Sequence, residues 1–248
     1  MSNQDIRLHI ETQHGGRYSG FIKNIIFGGV DGVITTFAII TASYAADLSI
    51  KTILILGLSN VLADGFSMGF GDYASSYSER EIYISERNKE VYEYEHNKDS
   101  EVNELIELYK LRGLNDNDSK IIVDVLLKEE NKELFIDHMM LIELNMCDPD
   151  STIEIMNKAF TTVLSFYLFG LLPLFSYIIA KMMSVQNKHI VFAYTCIVCG
   201  VTLFVIGVLS SYISKRSLLK GGFITLTNGT IASILAYLIG YSLNKILT

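Results

Sequence analysis

The chain has 248 residues, half of them apolar, with 27 Asp and Glu against 20 Lys and Arg and a formal charge of −7. Negative charge of this kind attracts cations and repels nucleic acid and anionic membrane surfaces. Three cysteines, Cys147, Cys196 and Cys199, imply no disulfide framework.

Residues 1–20 are polar and read as a tail, with no cleavable signal peptide. Apolar stretches long enough to cross a bilayer then follow at roughly 22–45, 50–77, 158–181, 190–212 and 220–244. The first holds Asp31 within Gly28-Gly29-Val30-Asp31-Gly32-Val33-Ile34-Thr35-Thr36-Phe37. An ionised carboxylate at membrane depth costs at least a few kcal/mol, so it marks an ion or proton path. The second holds Asn60, Asp64, Met68 and Asp72 in another glycine-rich run. Met68 adds a soft sulfur, Asp64 one turn earlier a second carboxylate, and Asn60 two turns earlier a neutral oxygen. Asp31 and Met68 are expected to share one cavity if the two spans pack antiparallel, and Asp72 to be solvated near the membrane end. Gly28 with Gly32, and Gly65 with Gly69, have the four-residue spacing that lets helix backbones approach closely.

The second span lacks proline, and no glycine occurs between Gly71 and Gly113, so its helix is expected to run on into the polar segment 79–150. That segment carries 20 of the 27 carboxylates but nine of the 20 Lys and Arg, a charge of −11 against +4 elsewhere. Gly113 predicts a helix stop, and Asn115-Asp116-Asn117-Asp118-Ser119 predicts the cap of a second helix with Ile121, Ile122, Val125 and Leu126 at helical spacing. A third helix is expected from Lys132 to Met146. The insert thus reads as a three-helix domain between spans 1–2 (21–78) and spans 3–5 (151–248).

Within it, Glu90, Glu93, Glu101 and Glu104 would fall within an arc of about 80° on one continuous helix, in two pairs about 16 Å apart. Like charges three apart repel, and a divalent cation between them removes the repulsion. Met139, Met140 and Glu143 on the third helix could face this ladder, and sulfur beside carboxylate shifts preference toward transition metals such as Fe²⁺. Glu93-Tyr94-Glu95-His96 fits one Glu-x-x-His, half of a di-iron signature; the insert holds no second copy, which argues against a membrane-anchored di-iron enzyme, and His96 is expected to be exposed. His9, His138 and His189 show no ligand spacing, and His14 pairs only with Glu11 in the polar tail. In the later spans, Pro173 is expected to kink the third, and Cys196-x-x-Cys199 reads as buried packing in the fourth.

Positive charge sets the expected topology. With the N-terminus cytoplasmic, Arg7, Arg17, Lys23, the insert, Lys158, Lys215, Arg216 and Lys220 share the cytosolic side, sixteen charges in all, against Lys51, Lys181, Lys188 and Lys245 opposite.

Asp31-Gly32-Val33-Ile34-Thr35-Thr36-Phe37, Ser67-Met68-Gly69-Phe70-Gly71-Asp72-Tyr73 followed by Ser78-Glu79, Gly170-Leu171-Leu172-Pro173-Leu174, and Gly229-Thr230-Ile231-Ala232 with Ala236-Tyr237-Leu238-Ile239-Gly240 together resemble the vacuolar iron transporter family, from about Gly20 to Tyr241. The resemblance implies an all-α homodimer of five spans per subunit with a cytoplasmic metal-binding domain. Its metal residues correspond to Glu90, Glu93, Glu101, Glu104, Glu143, Met139 and Met140, and its membrane ligands to Asp31 and Met68. It also implies exchange of cytosolic Fe²⁺, in some members Mn²⁺, for protons from an acidic organelle such as a vacuole, without a prosthetic group; Zn²⁺, Co²⁺ or Ni²⁺ would also suit the acidic domain. One departure is Asn60, where many members carry glutamate. Two other classes stay open: an uncoupled divalent-metal channel, and a membrane-anchored metal sensor or scaffold.

Overall fold

The computed structural model describes residues 18–185 and 187–247, and all of their regular structure is helical. The α-helices are α1 Tyr18–Ala45, α2 Ile50–His96, α3 Lys98–Leu111, α4 Asp116–Leu126, α5 Lys132–Ile142, α6 Thr152–Met182, α7 Lys188–Ile213 and α8 Leu218–Leu247, with a short 3-10 turn at Glu129–Asn131. Arg7, Arg17, His9 and His14 lie outside the described residues, as does most of the expected tail. Five helices (α1, α2, α6, α7 and α8) are long and apolar enough to cross a membrane, as the sequence led us to expect. The chain divides into two units, one formed up to Tyr73 and from Met156 onward, the other from Ala74 to Ile155.

In the first unit the expected glycine contacts are present. A Cβ on Gly28 would stand 2.5 Å from the Thr162 carbonyl oxygen, and one on Gly32 2.6 Å from that of Phe166. Gly65 and Gly69 of α2 meet Tyr167 and Val163. All four therefore serve one purpose, letting α1 and α2 close onto α6. Around this seam Ile40, Ile53, Val61, Phe166, Leu174 and Tyr177 form one buried cluster. Cys199 is buried in a second cluster with Val33, Phe37, Leu203 and Ile206, as a small apolar residue would be. Helix α6 runs through Pro173 without ending.

Helix ends repeat one device. Asp47, Ser184 and Lys215 each take a positive φ, and the following N–H reaches back to Ser43, Ala180 or Ser211. This left-handed cap usually uses glycine; among the described residues the turn after α3 does so, at Gly113 with φ +104.

The second unit departs from the expected three helices in three places. The first helix is not continuous: Asn97, with φ −134 and ψ 38, separates α2 from α3. Its carbonyl accepts the N–H of Ser100 at 2.9 Å and starts a new helix, with Asp99 and Glu101 in the favourable first turn. The last helix is shorter than expected, because Glu143 caps it and Asn145 at φ 54 turns the chain. On α4 the buried stripe is Ser119, Val123 and Leu126. Ile121, Ile122 and Val125 lie outward instead, because the core takes residues at i, i+4 and i+7 and these fall between them. Asn115 does cap α4, accepting the Asp118 N–H at 2.8 Å.

Candidate metal centre and membrane carboxylates

Two glutamates of the second unit lie on the buried stripes of their helices. Along α2, Tyr83, Glu90 and Tyr94 are buried, and along α3, Glu101, Leu105 and Tyr109. Tyr94, Leu105, Tyr109, Val123, Leu126, Phe135 and Met139 form the core beneath. The break at Asn97 turns α3 so that Glu101 returns to Glu90 rather than lying about 16 Å farther along one axis. Carboxylate oxygens of Glu90, Glu93 and Glu101 lie within 4.8 Å of one another. The expected ladder is therefore a cluster: Glu90 and Glu101 are only 5% and 6% exposed, with Glu93 at the surface.

Burial raises the Glu90 carboxyl to about 7, helped by the negative charges of Glu143, Glu101, Glu93 and Glu104. Glu101 is raised by burial and by Glu93, Glu104 and Glu143, and Glu143 by burial and by Glu104 and Glu93. All five glutamates thus act on a common field. One oxygen of Glu90 is buried without a hydrogen-bond partner. A desolvated carboxylate facing like charges is unfavourable unless protonated or bound to a cation. Three carboxylates at this separation can bridge one divalent ion.

Met139 and Met140 are buried in apolar clusters. Met139 packs with Phe135 and Tyr94, and Met140 with Tyr83, Ile136 and Val91. Packing accounts for their burial. His96 is exposed, stacks on Tyr92 at 4.0 Å between ring centroids, and shares a hydrogen bond with the Tyr92 carbonyl. It stands outside the carboxylate group, whose members are Glu90, Glu93 and Glu101. His138 likewise bonds the Leu134 carbonyl.

In the membrane unit, Asp31 is half-buried and lies within electrostatic reach of Asp64. Asp64 in turn accepts from the Asn60 amide, so Asn60 faces this carboxylate with its donor. Met68 packs against the apolar cluster around Phe166 and Leu174. The cleft beside Asp31 is lined by Lys23, Val30, Ile34, Ser210, Ser214 and Asn228 among others, with Met68 outside that lining. Asp72 is tied down rather than solvated: the Asn24 amide donates to it at 2.7 Å and the Thr162 hydroxyl at 2.9 Å. Asn24 also donates to the Lys158 carbonyl at 3.1 Å, so one carboxylate joins α1, α2 and α6. The sequence signal was a lone Asn near the start of one span and a Thr in another, which no spacing rule connects.

A family model described as the VIT family matches residues 22–241. The vacuolar iron transporter of Toxoplasma gondii is 32% identical over 93% of this chain and 76% of its own length. That of Plasmodium berghei is 32% identical over 92% of this chain and 84% of its own. Vacuolar iron transporter 1 of Arabidopsis thaliana is 27% identical over 87% of this chain and 83% of its own. These relatives are transporters rather than enzymes. Since the match runs from the first membrane helix to the last and includes the helices that carry the glutamate centre, the chain is a member of the VIT family.

Proposed function

We propose that the protein moves cytosolic Fe²⁺, with Mn²⁺ as a second cargo, into an acidic organelle in exchange for protons, working as a homodimer with Ala74–Ile155 in the cytosol. The observation that carries this reading is the convergence of Glu90, Glu93 and Glu101 with one buried Glu90 oxygen left unpaired, in a chain similar to vacuolar iron transporters. Glu104 and Glu143 strengthen the field of that centre and complete its ligand set when an ion is bound. Met139 and Met140 lie in the core beside it as candidate soft ligands. Zn²⁺, Co²⁺ and Ni²⁺ fit the same donors.

Capture concentrates the ion at the membrane, and Asp31, Asp64 and Met68 then conduct it. Protons from the acidic side compete for the same carboxylates, because a protonated carboxyl no longer holds a cation. Metal release and proton uptake are thereby linked at one group. Purified protein in liposomes with an acidic interior should accumulate Fe²⁺ faster than at equal pH. Uptake indifferent to the gradient would replace exchange by an uncoupled channel, and no uptake under either condition would leave a metal sensor or scaffold.

A further inference from the structure

The turn between α7 and α8 joins two helices long enough to cross a membrane, and so lies at a membrane surface. A cleft of about 610 Å³ opens there. Its polar lining includes Ser210, Ser211 and Ser214 from the end of α7, and Arg216, Ser217 and Lys220 from the turn and the start of α8. The lining holds no acid, and no Asp or Glu follows Glu154 in the sequence. Arg216 and Lys220 form no ion pair among the described residues. Neighbouring cations without a counter-charge attract an anion.

The floor of the cleft is tight. A Cβ on Gly207 would stand 2.6 Å from the Gly221 carbonyl oxygen, and one on Gly221 would displace the Ser211 hydroxyl. Contact at these two glycines holds the end of α7 against the start of α8. Ser211 is fixed at that contact and only 7% exposed, yet its hydroxyl has no hydrogen-bond partner among the described residues. Thr225, in the same cleft, satisfies itself by donating to the Gly221 carbonyl at 3.1 Å. A buried hydroxyl without a partner is costly. Ser217 precedes α8 where a serine would cap it, and its hydroxyl is likewise unbonded among the described residues. The first N–H groups of a helix lack intrahelical acceptors and, with the helix dipole, favour an anion at that end.

Farther along α8 the surface turns apolar. Ile224 lines the cleft one turn past Lys220, and Ile224, Ile231 and Leu238 are all exposed. They recur every seven residues, so one outward apolar stripe leads from the cations along the helix.

We propose that this cleft binds the phosphate monoester of an anionic lipid headgroup. Arg216 and Lys220 supply the charge, Ser211 and Ser217 the hydrogen bonds, and the α8 stripe a bed for an acyl chain. Basic pockets between membrane helices suit such headgroups, and a dianionic phosphate matches two cations. The site is separate from the cargo and from the glutamate centre.

The test is equilibrium binding of dioctanoyl phosphatidic acid to the purified full chain in detergent, without metal, beside dioctanoyl phosphatidylcholine and glycerol 3-phosphate. Saturable binding of phosphatidic acid alone is expected. Ser211→Ala alters no charge and removes an unpartnered hydroxyl, and should weaken binding about tenfold. Lys220→Gln should weaken it at least as much. Lys215→Gln removes the same charge outside the cleft lining and should have little effect. Glycerol 3-phosphate bound as tightly as phosphatidic acid would overturn the lipid as occupant and leave a soluble phosphate ester. Undiminished binding in Ser211→Ala, or equal losses in Lys215→Gln and Lys220→Gln, would overturn the built site and leave a diffuse positive surface. If Ser211→Ala melts below the wild type, the comparison of the exposed Lys215 and Lys220 decides the matter. No saturable binding to the wild type would overturn the proposal outright.

Discussion

The two carboxylate groups of this protein are prepared in opposite ways. In the membrane unit two carboxylates already have donors from the protein: Asn60 for Asp64, and Asn24 with Thr162 for Asp72. In the second unit Glu90 and Glu101 are buried against like charges, and one Glu90 oxygen has no donor. The first arrangement lowers the cost of an anion in hydrocarbon and leaves it able to release what it binds. The second is unfavourable until a cation or proton arrives, which suits capture. The difference teaches that burial of acid does not by itself mark a binding site; the missing donors do.

The largest effect tests the membrane side. Asp31→Ala should bring Fe²⁺ flux in liposomes to background while the protein elutes and melts as wild type, because Asp31 lines an open cleft with mostly apolar walls. Flux at the wild-type rate would end the assignment. On the other side, Glu90→Gln should weaken Mn²⁺ binding to the intact protein by about ten- to a hundredfold. The same change at His96, outside the carboxylate group, should leave binding as it was.

Protonation sharpens the contrast further. With its carboxyl raised to about 7 in the folded state and near 4.5 unfolded, Glu90 keeps a proton on folding between those values. The folded state then binds more protons than the unfolded one, so stability falls as pH rises from about 4.5 through about 7. Glu101 and Glu143 are raised as well and act in the same direction. Metal-free protein should therefore lose a few kcal/mol of stability in the second unit between pH 5 and 8. A saturating divalent ion, or Glu90→Gln, should flatten most of that slope. Hydrogen exchange of the α3 amides against pH measures it; a stability that climbs over this range would contradict the buried, unpaired centre.

Packing in the membrane unit gives a smaller effect. Gly28→Val would press a side chain on the Thr162 carbonyl and Ser165, and should cost about 1–3 kcal/mol. A lowered melting temperature of the reconstituted protein, with metal binding to the second unit unchanged, is the expected result.

Much of this was legible because membrane helices are long and their apolar runs are hard to mistake. The five spans, the glycine seams and the caps at Gly113 and Asn115 follow from spacing and local backbone chemistry. Asn97 was not legible. It carries neither proline nor glycine, and helical spacing on both sides is intact, so periodicity runs straight through it. Yet that break turns a ladder into a cluster. A quieter signal was present: Glu90 shares a stripe with Tyr83 and Tyr94, and Glu101 with Leu105 and Tyr109, and an acid on an apolar stripe is an acid headed inward. The Asn24–Asp72–Thr162 clasp had no such signal, since it depends on three helices meeting.

Asn115→Ala has the smallest effect and isolates the second unit. The Asn115 side chain accepts the Asp118 N–H at 2.8 Å and holds the start of α4, whose Val123 and Leu126 complete the core under the glutamates. Loss of this cap should cost about 1 kcal/mol. The carboxylates keep their positions in the folded state, so metal affinity should change little while hydrogen exchange of α4 accelerates. If affinity instead fell as far as in Glu90→Gln, the centre would depend on the stability of its support rather than on its own charges. The contrast between a pre-satisfied membrane path and an unsatisfied capture site would then need a structural cause in place of an electrostatic one.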